Sequence, residues 1–230
     1  MIIAIDGLAA SGKSSTAKKV ADKLGFNYFT TGKMYRAFTL YSIRNNLINN
    51  IPESIDSNIN NINIVLKGKN FNVILINGVD YTDKKNDLYS NTINKHISKI
   101  SSVQSLRNKM VEIQRAVSKG SNIVCEGRDI GTVVFPDANL KFFFKADLQS
   151  RVNRRFLDLK SKDSKITKIN LKKMIKERDY KDINRFVSPL KRAKDSFLVV
   201  TTNMTIKEQI DFILKKVNKT RKKNDNNRRK

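Results

Sequence analysis

The sequence predicts an α/β fold with a central parallel sheet flanked by helices. Short apolar runs of strand length alternate with stretches whose apolar residues recur at helical spacing, the pattern of parallel strands joined by crossover helices. The first such pair is connected by a glycine-rich turn. At 230 residues and 39% hydrophobic composition, the chain is long enough for one principal core and an inserted subdomain.

Residues 2–5 form the first apolar run, and residues 13–24 then place Ala17, Val20, Ala21 and Leu24 on one helical face. Residues 26–29 read as a second strand. Met34, Phe38, Tyr41 and Ile43 lie in a further helix that fades into an Asn-rich stretch. From about residue 51 the pattern changes: residues 62–66 and 71–75 are strand-like around a Lys-Gly-Lys turn, with Gly78 marking a second tight turn, as in a small antiparallel unit. Helices over 87–99 and 103–117 precede a buried strand at 122–126. A core strand at 140–144, charged helices at 148–159 and 171–182, a strand at 197–201 and an amphipathic helix at 206–217 complete the domain. Residues 220–230 contain no apolar side chain and predict a disordered basic tail.

A formal net charge of +25 suits a nucleic-acid binder and equally an enzyme whose substrates are polyanionic nucleotides. With no aromatic interleaving and no recognised nucleic-acid module, only weak electrostatic nucleic-acid binding is expected. The lone Cys125 sits in an apolar run and reads as a buried small thiol; one cysteine and one histidine, His96, do not supply a zinc site or a Ser-His-Asp constellation. No apolar run reaches the roughly 18 residues of a membrane span, and the N-terminus lacks a signal-peptide pattern, so a soluble cytoplasmic monomer is the expectation.

Gly7-Leu8-Ala9-Ala10-Ser11-Gly12-Lys13-Ser14, followed by Ser15, has the full G-x-x-x-x-G-K-[ST] spacing between a predicted strand and a predicted helix. Glycines let the backbone wrap phosphates, so that loop N–H groups and the helix N-terminus face negative charge. Lys13 is placed to reach the β- and γ-phosphates of ATP, and the Ser14 hydroxyl to meet Mg²⁺. The motif specifies a phosphate donor and leaves the acceptor open. Glu126 or Asp129 fits the acid of a nucleotide switch or motor, whereas the neighbouring arginines argue for a kinase.

Thr30-Thr31-Gly32-Lys33-Met34-Tyr35-Arg36, taken with Glu126-Gly127-Arg128-Asp129-Ile130-Gly131-Thr132-Val133-Val134-Phe135-Pro136-Asp137-Ala138, resembles the bacterial cytidylate kinase family, with segments in the family's order from Ile2 to about Val217. The resemblance implies a P-loop nucleotide kinase core (residues 1–50, 121–146 and 184–219), an inserted nucleoside-monophosphate-binding subdomain (51–120) and a short helical lid (147–183). It implies an acceptor, CMP or dCMP, held by Thr31, Arg36, Ser98, Arg107, Arg128, Asp129, Arg178 and Asp182. It also implies that lid arginines at Arg151 and Arg155 join Lys13 and Arg128 in stabilising the transferring phosphoryl group. Thr30 departs from the aspartate that the family commonly carries, which leaves a carboxylate role lost or supplied elsewhere.

Arg178, Asp182 and Arg185 share one face if helical. Taken alone, that spacing favours an exposed salt-bridge ladder contributing about 0.3–0.5 kcal/mol per pair; the resemblance implies that Arg178 and Asp182 meet the acceptor's sugar and phosphate. No general base is required, because a monophosphate oxygen is already anionic near neutral pH.

Overall fold

The computed structural model describes residues 1–82, 87–160 and 166–228. Five parallel strands form the central sheet: β1 (Ile2–Gly7), β2 (Asn27–Thr30), β6 (Ile123–Gly127), β7 (Leu140–Lys145) and β8 (Phe197–Val200), in the order β2-β6-β1-β7-β8. β1 is central because both its faces are apolar: Ile3 and Ile5 are fully buried on one side and Ala4 on the other.

The face carrying Ile3, Ile5, Val124, Phe142 and Phe144 packs against α1 (Lys13–Leu24) and α8 (Ile206–Arg228). The opposite face belongs to a core shared with α2 (Thr31–Arg44), α3 (Glu53–Asn58), α4 (Asn91–Ile100) and α5 (Gln104–Ser118). A second, antiparallel sheet of β3 (Ile64–Lys67), β4 (Val73–Ile76) and β5 (Val79–Asp80) buries Ile64, Leu66, Ile74 and Ile76 in that same core. The described apolar residues of the predicted insert therefore share one core with the central sheet and α2. α6 (Leu148–Lys160) and α7 (Lys168–Asn184) pack on each other through Val152, Leu171 and Ile175, with Ala10 of the glycine-rich loop at the edge of that cluster.

The predicted elements match observed ones with ends shifted by a few residues, and three differences have physical causes. The segment predicted helical from 87 opens as a 3₁₀ turn, Asp87–Tyr89, before Ser90 caps α4 by accepting the Ile93 N–H. Ile130–Val134 forms a π-helical turn that periodicity does not show; Asp6 fixes it from β1, its two carboxylate oxygens accepting the N–H groups of Ile130 (2.8 Å) and Gly131 (2.7 Å).

The third difference lies at the C-terminus, where a disordered basic tail was expected from residue 220. α8 runs through Arg228, because a helix nucleated on buried Ile210, Ile213 and Val217 gains one hydrogen bond for each residue added. The Arg221 guanidinium lies 5.4 Å from the Phe26 ring centroid. Within the expected insert, lid and tail, residues 83–86, 161–165 and 229–230 lie outside the described residues. Among the described residues, no helix is long and apolar enough to cross a membrane.

Candidate active site

The loop between β1 and α1 takes its shape from two backbone positions. Gly7 has φ 150° and lies so close to β7 that a Cβ would collide with the Phe144 carbonyl oxygen; Gly12, at φ 92°, starts α1 in the left-handed region. The Leu8 carbonyl accepts hydrogen bonds from Ser11 Oγ (2.9 Å) and Lys13 Nζ (3.0 Å), folding the loop over the end of the central strand. Thr201, just after β8, donates to the Ser11 carbonyl (2.8 Å), and Thr16 of α1 donates to Gln209 of α8 (2.6 Å). Ser14 and Ser15 are exposed on the first turn of α1, where backbone N–H groups have no intrahelical acceptor.

Opposite the loop, the end of β6 leads into Arg128 and Asp129. Asp182 of α7 receives a 2.7 Å hydrogen bond from Arg128 Nε and lies 3.9 Å from Arg178 Nε. Asp129 pairs with Arg107 of α5 and with Arg185 at 3.5 Å. Arg107 also donates to the Ser101 carbonyl (3.0 Å), one turn beyond the half-buried Ser98 of α4. Arg36 of α2 donates to the Leu88 carbonyl (2.7 Å) and Asn94 Oδ1 (3.0 Å) with the Tyr89 ring centroid 4.7 Å away. Thr31 reaches the Glu126 carbonyl at 3.3 Å.

The electrostatics of this space ask for an anion. Burial, with Arg128 nearby, lowers the Lys13 ammonium to about 7. Burial, with neighbouring arginine charges, brings Arg36 and Arg178 down to about 10 each. Arg155 is among the cations acting on both, which places it beside the same space. Asp182 holds its proton less tightly than a free carboxyl: burial works against this, and Arg128 and Arg178 outweigh it. Burial pushes Asp6 up to about 7, against the two N–H groups that favour its ionised form.

Lys13, Arg36, Arg107, Arg128, Asp129, Arg178 and Asp182 thus lie around one space, and Arg151 is placed differently from the expectation. Arg151 is buried, its Nε bonded to the Ala146 carbonyl (3.1 Å) and its Nη1 to the Ala9 carbonyl (3.2 Å) and Asp179, so protein groups already occupy the face expected to reach a phosphoryl group. Arg154 is tied to the Thr201 and Thr202 carbonyls and the Ser11 carbonyl.

Three residues add to the predicted set. Arg185 follows α7 with an extended backbone (ψ 139°), so its helical spacing from Asp182 was misleading while its charge was the useful signal. Tyr35 places a buried hydroxyl in the surroundings of Arg107, Asp129 and Arg185. Glu126 accepts a 2.5 Å hydrogen bond from Thr30, which supplies a partner where the family's aspartate was expected. Cys125 is fully buried and its thiol is pushed up by burial, in keeping with a packing role.

For Mg²⁺ the donor chemistry fits: the Ser14 hydroxyl is exposed at the loop, and Glu126 is a hard oxygen donor on the α1 side of the sheet. Among the described residues no group of three or more His, Cys, Asp or Glu side chains could hold a metal ion.

A phosphate-binding loop at the carboxyl end of the central strand, facing a cluster of arginines positioned by separate elements, defines a P-loop phosphotransferase. The family model described as cytidylate kinase matches residues 3–219. A cytidylate kinase of Fusobacterium nucleatum is 41% identical over 96% of this chain and 99% of its own length. One of Clostridium botulinum is 44% identical over 92% and 94%. A solved structure of an uncharacterised protein from Eubacterium ventriosum superposes with a TM-score of 0.52 at 13% identity, covering 95% of this chain and 98% of its own, a likeness of fold. The chain belongs to the cytidylate kinase family.

Proposed function

We propose that the protein transfers the γ-phosphoryl of ATP to CMP or dCMP, giving ADP and CDP or dCDP. The observation that carries this reading is the cationic space between Lys13 and Arg36, Arg128, Arg155 and Arg178: the charges of Arg128 and Arg178 act on Lys13, those of Arg178, Arg155 and Arg128 on Arg36, and those of Arg128 and Arg155 on Arg178. A nucleoside triphosphate and a nucleoside monophosphate brought together there would neutralise it. Residues 7–15 hold the donor phosphates, and Mg²⁺, met by Ser14, would neutralise charge on the transferring group.

The acceptor is held by Thr31, Arg36, Ser98, Arg107, Arg128, Asp129, Arg178 and Asp182, to which we add Arg185. Asp129, fixed between two guanidinium groups, offers a carboxylate to the amino group of a cytosine, and Asp182 offers one to a sugar hydroxyl. Arg36, Arg128 and Arg178 meet the phosphate, and its oxygen attacks without a base. Lys13, Arg128 and Arg155 stabilise charge in transit, with Arg151 holding the frame around them. Within this reading residues 1–50, 121–146 and 184–219 are the core, 51–120 the acceptor-binding insert and 147–183 the lid, whose closure excludes water.

The test is ATP consumption against CMP, dCMP, UMP and shikimate. Saturation by CMP or dCMP is expected, and saturation by UMP or shikimate without CMP would overturn the assignment.

A further inference from the structure

Asp179 has no part in the roles assigned so far, yet it is one of the best-enclosed carboxylates in the protein. Its Oδ1 accepts the N–H of Ala9 in the phosphate loop at 3.0 Å, and its Oδ2 pairs with Arg151. Arg151 in turn donates to the carbonyl of that same Ala9 at 3.2 Å. One peptide residue of the loop is therefore bracketed on both its polar groups by a buried ion pair, the side chains being 7% and 10% exposed for Arg151 and Asp179.

The two halves of the bracket come from α6 and α7, 142 and 170 residues along the chain from Ala9. Asp179 is flanked on α7 by Arg178 and, three residues on, by Asp182, which engages Arg128. Within one and a half turns, a single helix contacts the donor loop and carries two acceptor-site residues. A helix is stiff over that length, so displacement of one contact is transmitted to the other.

We infer that Asp179 is a positioning residue that locks the acceptor-facing helix to the phosphate loop, so that occupancy of either nucleotide site favours occupancy of the other. This rests on the function proposed above. Each oxygen of the carboxylate already has a protein partner and the side chain is only 10% exposed, which sets Asp179 apart from the residues assigned to contact substrate. The coupling is reciprocal: acceptor binding that steadies α7 also steadies Ala9, and the donor does the converse.

The test is calorimetric titration of the full chain with a non-hydrolysable ATP analogue and Mg²⁺, in the absence and presence of saturating CMP. CMP should tighten analogue binding about tenfold in the parent protein, within the usual range of coupling between sites. Asp179→Asn keeps an oxygen for the Ala9 N–H and removes the charge opposite Arg151; it should reduce the factor to below about twofold while leaving the Kd for CMP alone unchanged. Asp179→Glu, which retains the charge, should recover part of the coupling. A factor retained in full by Asp179→Asn, or absent from the parent protein, overturns the inference. So does loss of CMP binding by Asp179→Asn in proportion to loss of analogue binding, since that marks a merely structural role. Failure of the parent protein to bind CMP at all instead overturns the proposed function, so the two failures are distinguishable.

Discussion

Lys13 illustrates at the residue scale how a site is held ready at a cost to the empty fold. Its folded pKa of about 7 lies below the unfolded 10.5, so between those values the unfolded chain binds more protons and stability rises with pH. Asp6 acts with the opposite slope: raised from 3.8 to about 7, it holds its proton in the folded state, and its contribution falls as pH rises across that window. Ligand-free stability should accordingly pass through a minimum near pH 7, read as the melting temperature across pH 4–10. Lys13→Met should raise the ligand-free melting temperature by about 2–4 °C at pH 6, with the gain shrinking towards pH 10, and should lower turnover by more than about a hundredfold.

Thr30 gives a second prediction at the same scale. Its hydroxyl donates to buried Glu126, so Thr30→Asp, although it introduces the residue common in the family, sets two carboxylates against each other. A loss of about 1–3 kcal/mol by denaturant melts is expected, with Thr30→Ser close to the parent. The departure at Thr30 was legible in the sequence. Its partner was not, because the hydrogen bond joins residues 96 apart that only the β2–β6 register makes neighbours.

The informative element is α7. The spacing of Arg178 and Asp182 was readable, but along-helix pairing is the weaker half of what these residues do. Their partners lie across the site: Asp182 faces Arg128 from the end of β6, with side chains only 9% and 15% exposed. Removing one member of such an enclosed pair leaves the other unpaired in a poorly solvated place, so Asp182→Ala should cost about 3 kcal/mol of stability. It should also raise KM for CMP well above any change in KM for ATP, as measured by initial rates with each nucleotide varied. Equal increases in both would remove Asp182 from the acceptor set. The π-helical turn after β6 was illegible for a related reason, since the carboxylate that stabilises it is supplied by β1, 124 residues away.

On the scale of the whole molecule, the charge of +25 divides between the site and the surface. The site cations are enclosed and held by specific partners, whereas many of the remaining lysines lie exposed, including Lys18, Lys19, Lys172, Lys173 and Lys219. Removing residues 223–230 keeps Arg221 and Phe26 in the chain and takes away the basic residues Lys223, Arg228, Arg229 and Lys230. Retention on heparin or duplex DNA should fall and become less salt-dependent, with kcat for CMP within about twofold of the full chain. A collapse of kcat would show that the end of α8 supports catalysis.

The phosphate loop, the alternation of strands and helices and the family were determined by the sequence alone, because each depends on residues adjacent in the chain or on a period of two or 3.6. The tertiary structure decided which charges pair and which remain directed at the site. It set Arg151 in a bracket around Ala9, joined Arg185 to Asp129 and gave Glu126 to Thr30. The energy of a charged group depends on burial and on what stands opposite it, and both are fixed only when distant segments pack together.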